Sequence, residues 1–291
     1  MTKKYFTVAL ILLGITFYGC NSKAKMSAKP TVVVSILPLK YFVEQLADSM
    51  VQVKVLVPPG SGPEMYEPTP AQLVDLSAAN IYFSIGLLDF EKGLEPKLRG
   101  NYPVKYINLS EGARLIRGDD SHAEEVEESH HHGVDPHIWL SAIEAKRMAG
   151  VMLKALQAAY PNQKSALQAN FDRFAARIDS VNTVVSTVLE SMKSKSFLIY
   201  HPALSYFARD YSLKQLSIEA EGKSPSVNEL VGTVKMAKEL GIRTVLSQSQ
   251  FDIHNAQVIA DEIGGRVVKI DPLAENWCES MVQIANALAG E

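Results

Sequence analysis

Leu167-Gln168-Ala169-Asn170-Phe171-Asp172-Arg173-Phe174-Ala175-Ala176-Arg177-Ile178-Asp179-Ser180-Val181-Asn182-Thr183-Val184-Val185 is the stretch on which the fold turns. Its apolar positions, Leu167, Phe171, Phe174, Ile178, Val181 and Val185, continue to Val188 and Met192 in steps of four and three. With 3.6 residues per turn, that spacing lays a narrow apolar seam along one face of a helix. Continuous over residues 163–192, the helix would be about 45 Å long. Such a seam also suits a coiled-coil dimer, but it is short for one. Both flanks read as globular α/β segments, so the spacing predicts a packed backbone helix that ties two lobes together and restricts hinge motion between them.

Upstream, residues 31–36 are a β-branched run and hence a buried strand. Residues 41–50 read as helix. Residues 52–57 alternate as a strand stopped by Pro58-Pro59-Gly60. Residues 70–80 read as a helix with Thr69 as its cap, and 81–85 and 104–108 as short strands. Downstream the style repeats. Strands are expected at 196–200, 216–218, 244–246 and 267–270, and helices at 203–210, 227–240, 256–263 and 277–288. The alternation gives an α/β fold class, with two α/β lobes of mostly parallel sheets joined by one long backbone helix. The first lobe spans 31–160, the linking helix 161–192 and the second lobe 193–291.

The 291 residues are 47% hydrophobic, enough to bury two cores. The formal net charge of −3 leaves no footprint for nucleic acid. Met1-Thr2-Lys3-Lys4 precedes an apolar run over 5–18, shorter than the roughly 20 residues of a spanning helix. This pattern predicts a secretory signal over 1–19. Phe17-Tyr18-Gly19-Cys20 resembles a bacterial lipobox, which implies cleavage before Cys20, lipidation of its thiol and a polar tether over 20–30. The other cysteine, Cys278, would then have no partner for an intramolecular disulfide and reads as a buried apolar filler.

Seven histidines are unevenly spread. His122, His130, His131 and His132 sit in an acidic tract over 119–133, His137 follows in Asp135-Pro136-His137-Ile138-Trp139-Leu140, and His201 ends the apolar run Phe197-Leu198-Ile199-Tyr200. Imidazole is the commonest transition-metal ligand, and carboxylates add charge and hard oxygens. Ligands of open α/β folds bind beyond the C-terminal ends of strands. Glu64 and Glu67 follow one predicted strand, His201 another, and Asp271 a third, with His137 just before a helix. Both halves contribute, which suggests a cleft between lobes. Each residue also has a plain reading: Asp271 before Pro272 suits a cap or turn, His137 a structural role, Glu64 a solvated charge. His254 reads as a surface residue at a helix start. No HExxH or CxxC spacing occurs.

Pro58-Pro59-Gly60, Tyr66-Glu67-Pro68-Thr69-Pro70, Asp135-Pro136-His137-Ile138-Trp139-Leu140, His201-Pro202-Ala203, Tyr206-Phe207-Ala208-Arg209-Asp210-Tyr211 and Ile270-Asp271-Pro272-Leu273 occur in one order over nearly the whole chain after the leader. Together they resemble the zinc and manganese solute-binding proteins of ABC transporters. The resemblance implies two α/β lobes on one long helix, with metal ligands at His137, His201 and Asp271. It departs at Glu64, where the family usually carries histidine. A carboxylate can ligate either metal, so the implied set is Glu64, His137, His201 and Asp271, with Glu67 as substitute if Glu64 points away. The added oxygen leaves manganese open beside zinc. The resemblance links the acidic tract with zinc-binding members. Physically, His122, His130, His131 and His132 would gather ions more weakly than a pocket does, since flexible ligands lose entropy on ordering. A solvated disordered insert is the plainer reading of that tract.

The function these features imply is a metal receptor of an ABC importer. It would be a monomer, lipid-anchored in the bacterial envelope, passing Zn2+ to a membrane permease. A manganese or iron receptor is the alternative. A zinc-dependent hydrolase would need an open metal position and a general base, with Glu219 and Glu221 available but no motif around them. A surface adhesin or structural lipoprotein would use metal only to hold its fold. The receptor reading makes the chain no enzyme.

Overall fold

A computed structural model describes residues 29–117, 133–192, 194–219, 225–251 and 253–290. The expected leader, tether and Cys20, the tract histidines His122, His130, His131 and His132, and Glu221 lie outside the described residues.

The first half builds β1 (Thr31–Val34), α1 (Leu37–Ala47), β2 (Gln52–Val55), α2 (Pro70–Ser77), β3 (Ile81–Ser84), α3 (Asp89–Leu98) and β4 (Lys105–Asn108). All pairings are parallel, in the order β2-β1-β3-β4. The valines Val32, Val33 and Val34 are fully buried, as a central parallel strand requires. Thr69 caps α2 in a reciprocal box with Gln72. A 3₁₀ turn at Ile138–Leu140 leads into α4 (Ala142–Ala159).

The second half repeats the plan with β5 (Ser196–Ile199), α6 (Ser205–Asp210), β6 (Lys214–Ser217), α7 (Val227–Glu239), β7 (Thr244–Gln248), α8 (His254–Glu262), β8 (Arg266–Ile270) and α9 (Trp277–Ala289). Its sheet is again parallel, ordered β6-β5-β7-β8. In each sheet the order reverses beside the first strand, which opens a crevice beyond the strand ends.

Between the halves runs α5 (Lys164–Glu190), 27 residues or about 40 Å long. It begins after a 3₁₀ turn at Pro161–Gln163 and buries Leu167, Phe174, Ile178, Val181, Val185 and Leu189. It packs on α1, α4 and α9. Phe174 meets Phe42 edge-on at 5.2 Å, and Phe42 meets Trp277 at 5.6 Å, so first half, linking helix and last helix share one apolar core. Trp277 donates its indole N–H to the Trp139 carbonyl (2.6 Å), and Trp139 donates its own to the Pro272 carbonyl (2.9 Å). These bonds cross between the halves inside the core, where hinge bending would leave polar groups unpaired.

Most expected elements stand within a few residues of their predicted ends. Residues 48–50 are a 3₁₀ turn rather than the end of the first helix. Helix α3 had no prediction because Gly93 and Pro96 interrupt its pattern. Cys278 is buried, and His254 is exposed at the start of α8.

Candidate metal centre

Glu64, His137 and His201 converge in the cleft between the halves. One donor atom from each lies within 4.8 Å of the others, the only such group of His, Cys, Asp and Glu among the described residues. The cleft is about 910 Å³.

Glu64 sits on the loop between β2 and α2. Gly60 turns that loop with φ +83, a left-handed conformation that glycine adopts without penalty. At the other end Gln72 gathers the loop: its Oε1 accepts from the Tyr66 hydroxyl (2.7 Å) and the Thr69 N–H (2.8 Å), and its Nε2 donates to the Leu56 carbonyl (2.6 Å). The Tyr66-Glu67-Pro68-Thr69-Pro70 segment therefore clamps the loop, and Glu64 points inward while Glu67 is exposed.

His137 is buried just before the 3₁₀ turn. Asp135 Oδ1 accepts from the His137 backbone N–H (2.8 Å) and lies 2.9 Å from its Nδ1. That Asx-type turn leaves Nε2 facing Glu64 Oε1 at 3.5 Å. His201 follows β5 and is also buried. Its Nε2 is 3.2 Å from the same Glu64 oxygen, and its Nδ1 is 3.4 Å from Glu219 Oε1. Gln248 brackets its backbone, accepting from the N–H and donating to the carbonyl, and Phe251 stacks on its ring at 4.9 Å. Each imidazole thus has a carboxylate behind its Nδ1 and turns its Nε2 toward Glu64, the arrangement that orients metal-bound histidines.

The electrostatics agree. Burial works to lower the His201 pKa, but its bonds to Glu219 and Glu64 prevail and raise it to about 9. Burial works to raise Glu64, yet His201 and His137 hold its carboxyl below the usual range. A carboxylate set between two imidazole nitrogens is a place where a cation can take over from a proton. Two nitrogens and an oxygen suit zinc, and the oxygen is acceptable to manganese.

Asp271 follows β8 as expected but is not one of the three. Its Oδ1 accepts from Gln250 Nε2 (2.9 Å) and the Leu273 N–H (3.0 Å), a turn-forming role. It borders a separate hollow of about 40 Å³ beside Ile36 and Gly60. Glu219, weighed as a hydrolytic base, is buried against His201 instead. The supporting roles of Asp135, Gln248 and Phe251 escaped sequence reasoning. For Asp135 the Asp-x-His spacing was a usable signal; for the others the contacts form only in the folded chain.

The family described as zinc-uptake complex component A, periplasmic, matches residues 32–290. The high-affinity zinc uptake system protein ZnuA of Bacillus subtilis is 26% identical over 287 residues, 94% of this chain and 90% of that protein. The zinc-binding lipoprotein AdcA of Streptococcus pneumoniae is 26% identical over 302 residues, 99% of this chain, which spans only 58% of that longer relative. A crystal structure of ZnuA superposes with a TM-score of 0.82 at 35% identity, covering 90% of this chain and 98% of the other.

Proposed function

Since the chain belongs to the periplasmic zinc-uptake component A family, we propose that it is the metal receptor of an ABC importer, taking zinc between its lobes and passing it to a membrane permease. The observation that carries this reading is the convergence of Glu64, His137 and His201 on one point from both halves. In this reading the ion replaces the proton shared between His201 and Glu64, and Asp271 completes the set once Gln250 releases it. The protein captures and releases cargo and carries out no chemistry on it. Cys20 bears a lipid that keeps the chain, as a monomer, at the outer side of a membrane. No helix among the described residues is long and apolar enough to cross one. The organisation follows the sequence: leader over 1–19, tether over 20–30, lobes over 31–160 and 193–291, and linking helix over 161–192.

Dialysis against equal free zinc and manganese tests the reading. Near one tightly held zinc per chain is expected, and His201→Ala should weaken it at least about a hundredfold, the upper end of what losing even a supporting group costs. Parent-like binding by His201→Ala would sink the site. Retained manganese would favour the second reading, a manganese receptor, which the oxygen of Glu64 permits. The acidic tract is proposed to collect ions for the pocket through His122, His130, His131 and His132. Deleting 119–133 should lower the number of ions bound and leave the tight site intact; loss of tight binding would move the site into the tract.

A further inference from the structure

The neck that carries the acidic tract is a short antiparallel pair. Arg117 bridges Val134, and the Asp135 N–H donates to the Ile116 carbonyl (3.0 Å). An ordinary rung would return the Ile116 N–H directly to the Asp135 carbonyl. Here a hydroxyl from the other half stands between them. The Ile116 N–H donates to Tyr206 Oη (3.1 Å), and Tyr206 donates in turn to the Asp135 carbonyl (2.8 Å). Tyr206 lies on α6, fully buried, with the Arg209 guanidinium 5.0 Å from its ring centre. Arg209 also donates to the Arg114 carbonyl (2.6 Å), so the same helix turn grips the segment leading into the neck.

We infer that Tyr206 is a positioning residue for metal capture: from the second lobe its hydroxyl completes the split rung at Ile116 and Asp135 and so sets the turn that aims His137. The inference rests on the metal-receptor reading of the same cleft. Asp135 is the link, because its backbone is held by Tyr206 while its side chain holds the His137 backbone and Nδ1. Removing the hydroxyl takes the partner from a half-buried N–H and a half-buried carbonyl. Closing the rung directly between them shifts Asp135 and turns the imidazole, and pairing with solvent instead leaves the Asp135 turn without its anchor in the second lobe. Burial holds the Tyr206 phenol up at about 12, so the proton it donates stays in place at working pH.

The full parent chain is titrated with zinc against a chromophoric chelator, then loaded with one equivalent of cobalt to record its ligand-field spectrum. Absence of a tight site in the parent overturns the receptor reading and this inference with it. Given that site, Tyr206→Phe should bind zinc about tenfold or more weakly and shift the cobalt spectrum. Tyr82→Phe is the control: Tyr82 is equally buried, and its hydroxyl pairs with Ser35 Oγ (2.9 Å) away from the three ligands. It should lower thermal stability without moving affinity or spectrum. Parent-like affinity and spectrum in Tyr206→Phe, at whatever stability, overturn the inference. If Tyr206→Phe does not fold, amide exchange in the parent decides. Coupling between sites is reciprocal, so zinc must slow exchange at the Ile116 amide, and a rate untouched by zinc overturns the inference.

Discussion

The two sheets share one strand order, yet they use the crevice beyond their strands in opposite ways. In the first half the loop beyond β3 closes on Glu91, a fully buried carboxylate on α3. Its Oε1 accepts from the Ser35 hydroxyl and the Ile85 N–H (2.8 Å), and its Oε2 from the N–H groups of Gly86 (2.7 Å), Leu87 (3.1 Å) and Leu88 (3.1 Å). Gly86 is required there, since its φ is +81 and a Cβ would collide with Asn108. In the second half the buried carboxylate is Glu219, and its partner is the His201 ring. One carboxylate is used up by the backbone around it. The other leaves a nitrogen aimed outward. Both crevices open on the cleft that holds the three side chains, and the partner of each buried acid decides whether that acid serves the fold or a ligand.

That contrast predicts opposite responses to the loss of each acid. Glu91→Ala would remove an acceptor from four backbone N–H groups, of which those of Ile85 and Leu88 are buried. It should cost about 3 kcal/mol or more of unfolding free energy in urea titrations, since each orphaned buried donor costs roughly 1–3 kcal/mol. Zinc affinity of the folded fraction should stay within about threefold, because no ligand rests on Glu91. Glu219→Gln should do the reverse, holding most of the stability and weakening zinc by about ten- to a hundredfold through the loss of charge behind His201. If Glu91→Ala weakens zinc as much as Glu219→Gln does, the two halves are not used differently and the comparison fails.

The frame of this contrast was legible in the sequence wherever the signal was local. The seam of α5 announced the linking helix. Thr69 announced a cap, and His201 stood at the end of an unmistakable strand. The seam is half-buried at Phe171 and strays at its end, where Leu189 is buried and Val188 half-buried. A strict alternation of four and three drifts about 20° per heptad against a straight helix, and over this length the face shifts by one residue. What stayed hidden depends on partners distant in the chain. Glu219 is 18 residues from His201, Tyr206 is 90 from Ile116, and Gln250, which holds Asp271, is 21 away from it. Periodicity carries no record of such pairings.

The smallest expected effect is on protons, and it tests whether Glu219 works through charge. With its pKa raised from the ordinary 6.5 to about 9, His201 is protonated in the empty site at neutral pH. A raised pKa stabilises the metal-free fold fully below pH 6.5, and that contribution fades as pH rises through about 9. Zinc binding has the opposite sign, because the ion must displace that proton. Affinity should therefore climb by up to about tenfold per pH unit between 7 and 8.5. Calorimetry in buffers of different ionisation enthalpy should find about one proton released per zinc at pH 7.5. In Glu219→Gln one of the two carboxylates that hold the proton is gone, so the slope should be shallower and the release smaller. A pH-independent zinc affinity in the parent over that range would mean that the His201 ring is already neutral, and that Glu219 orients it as a hydrogen-bond acceptor without supplying charge.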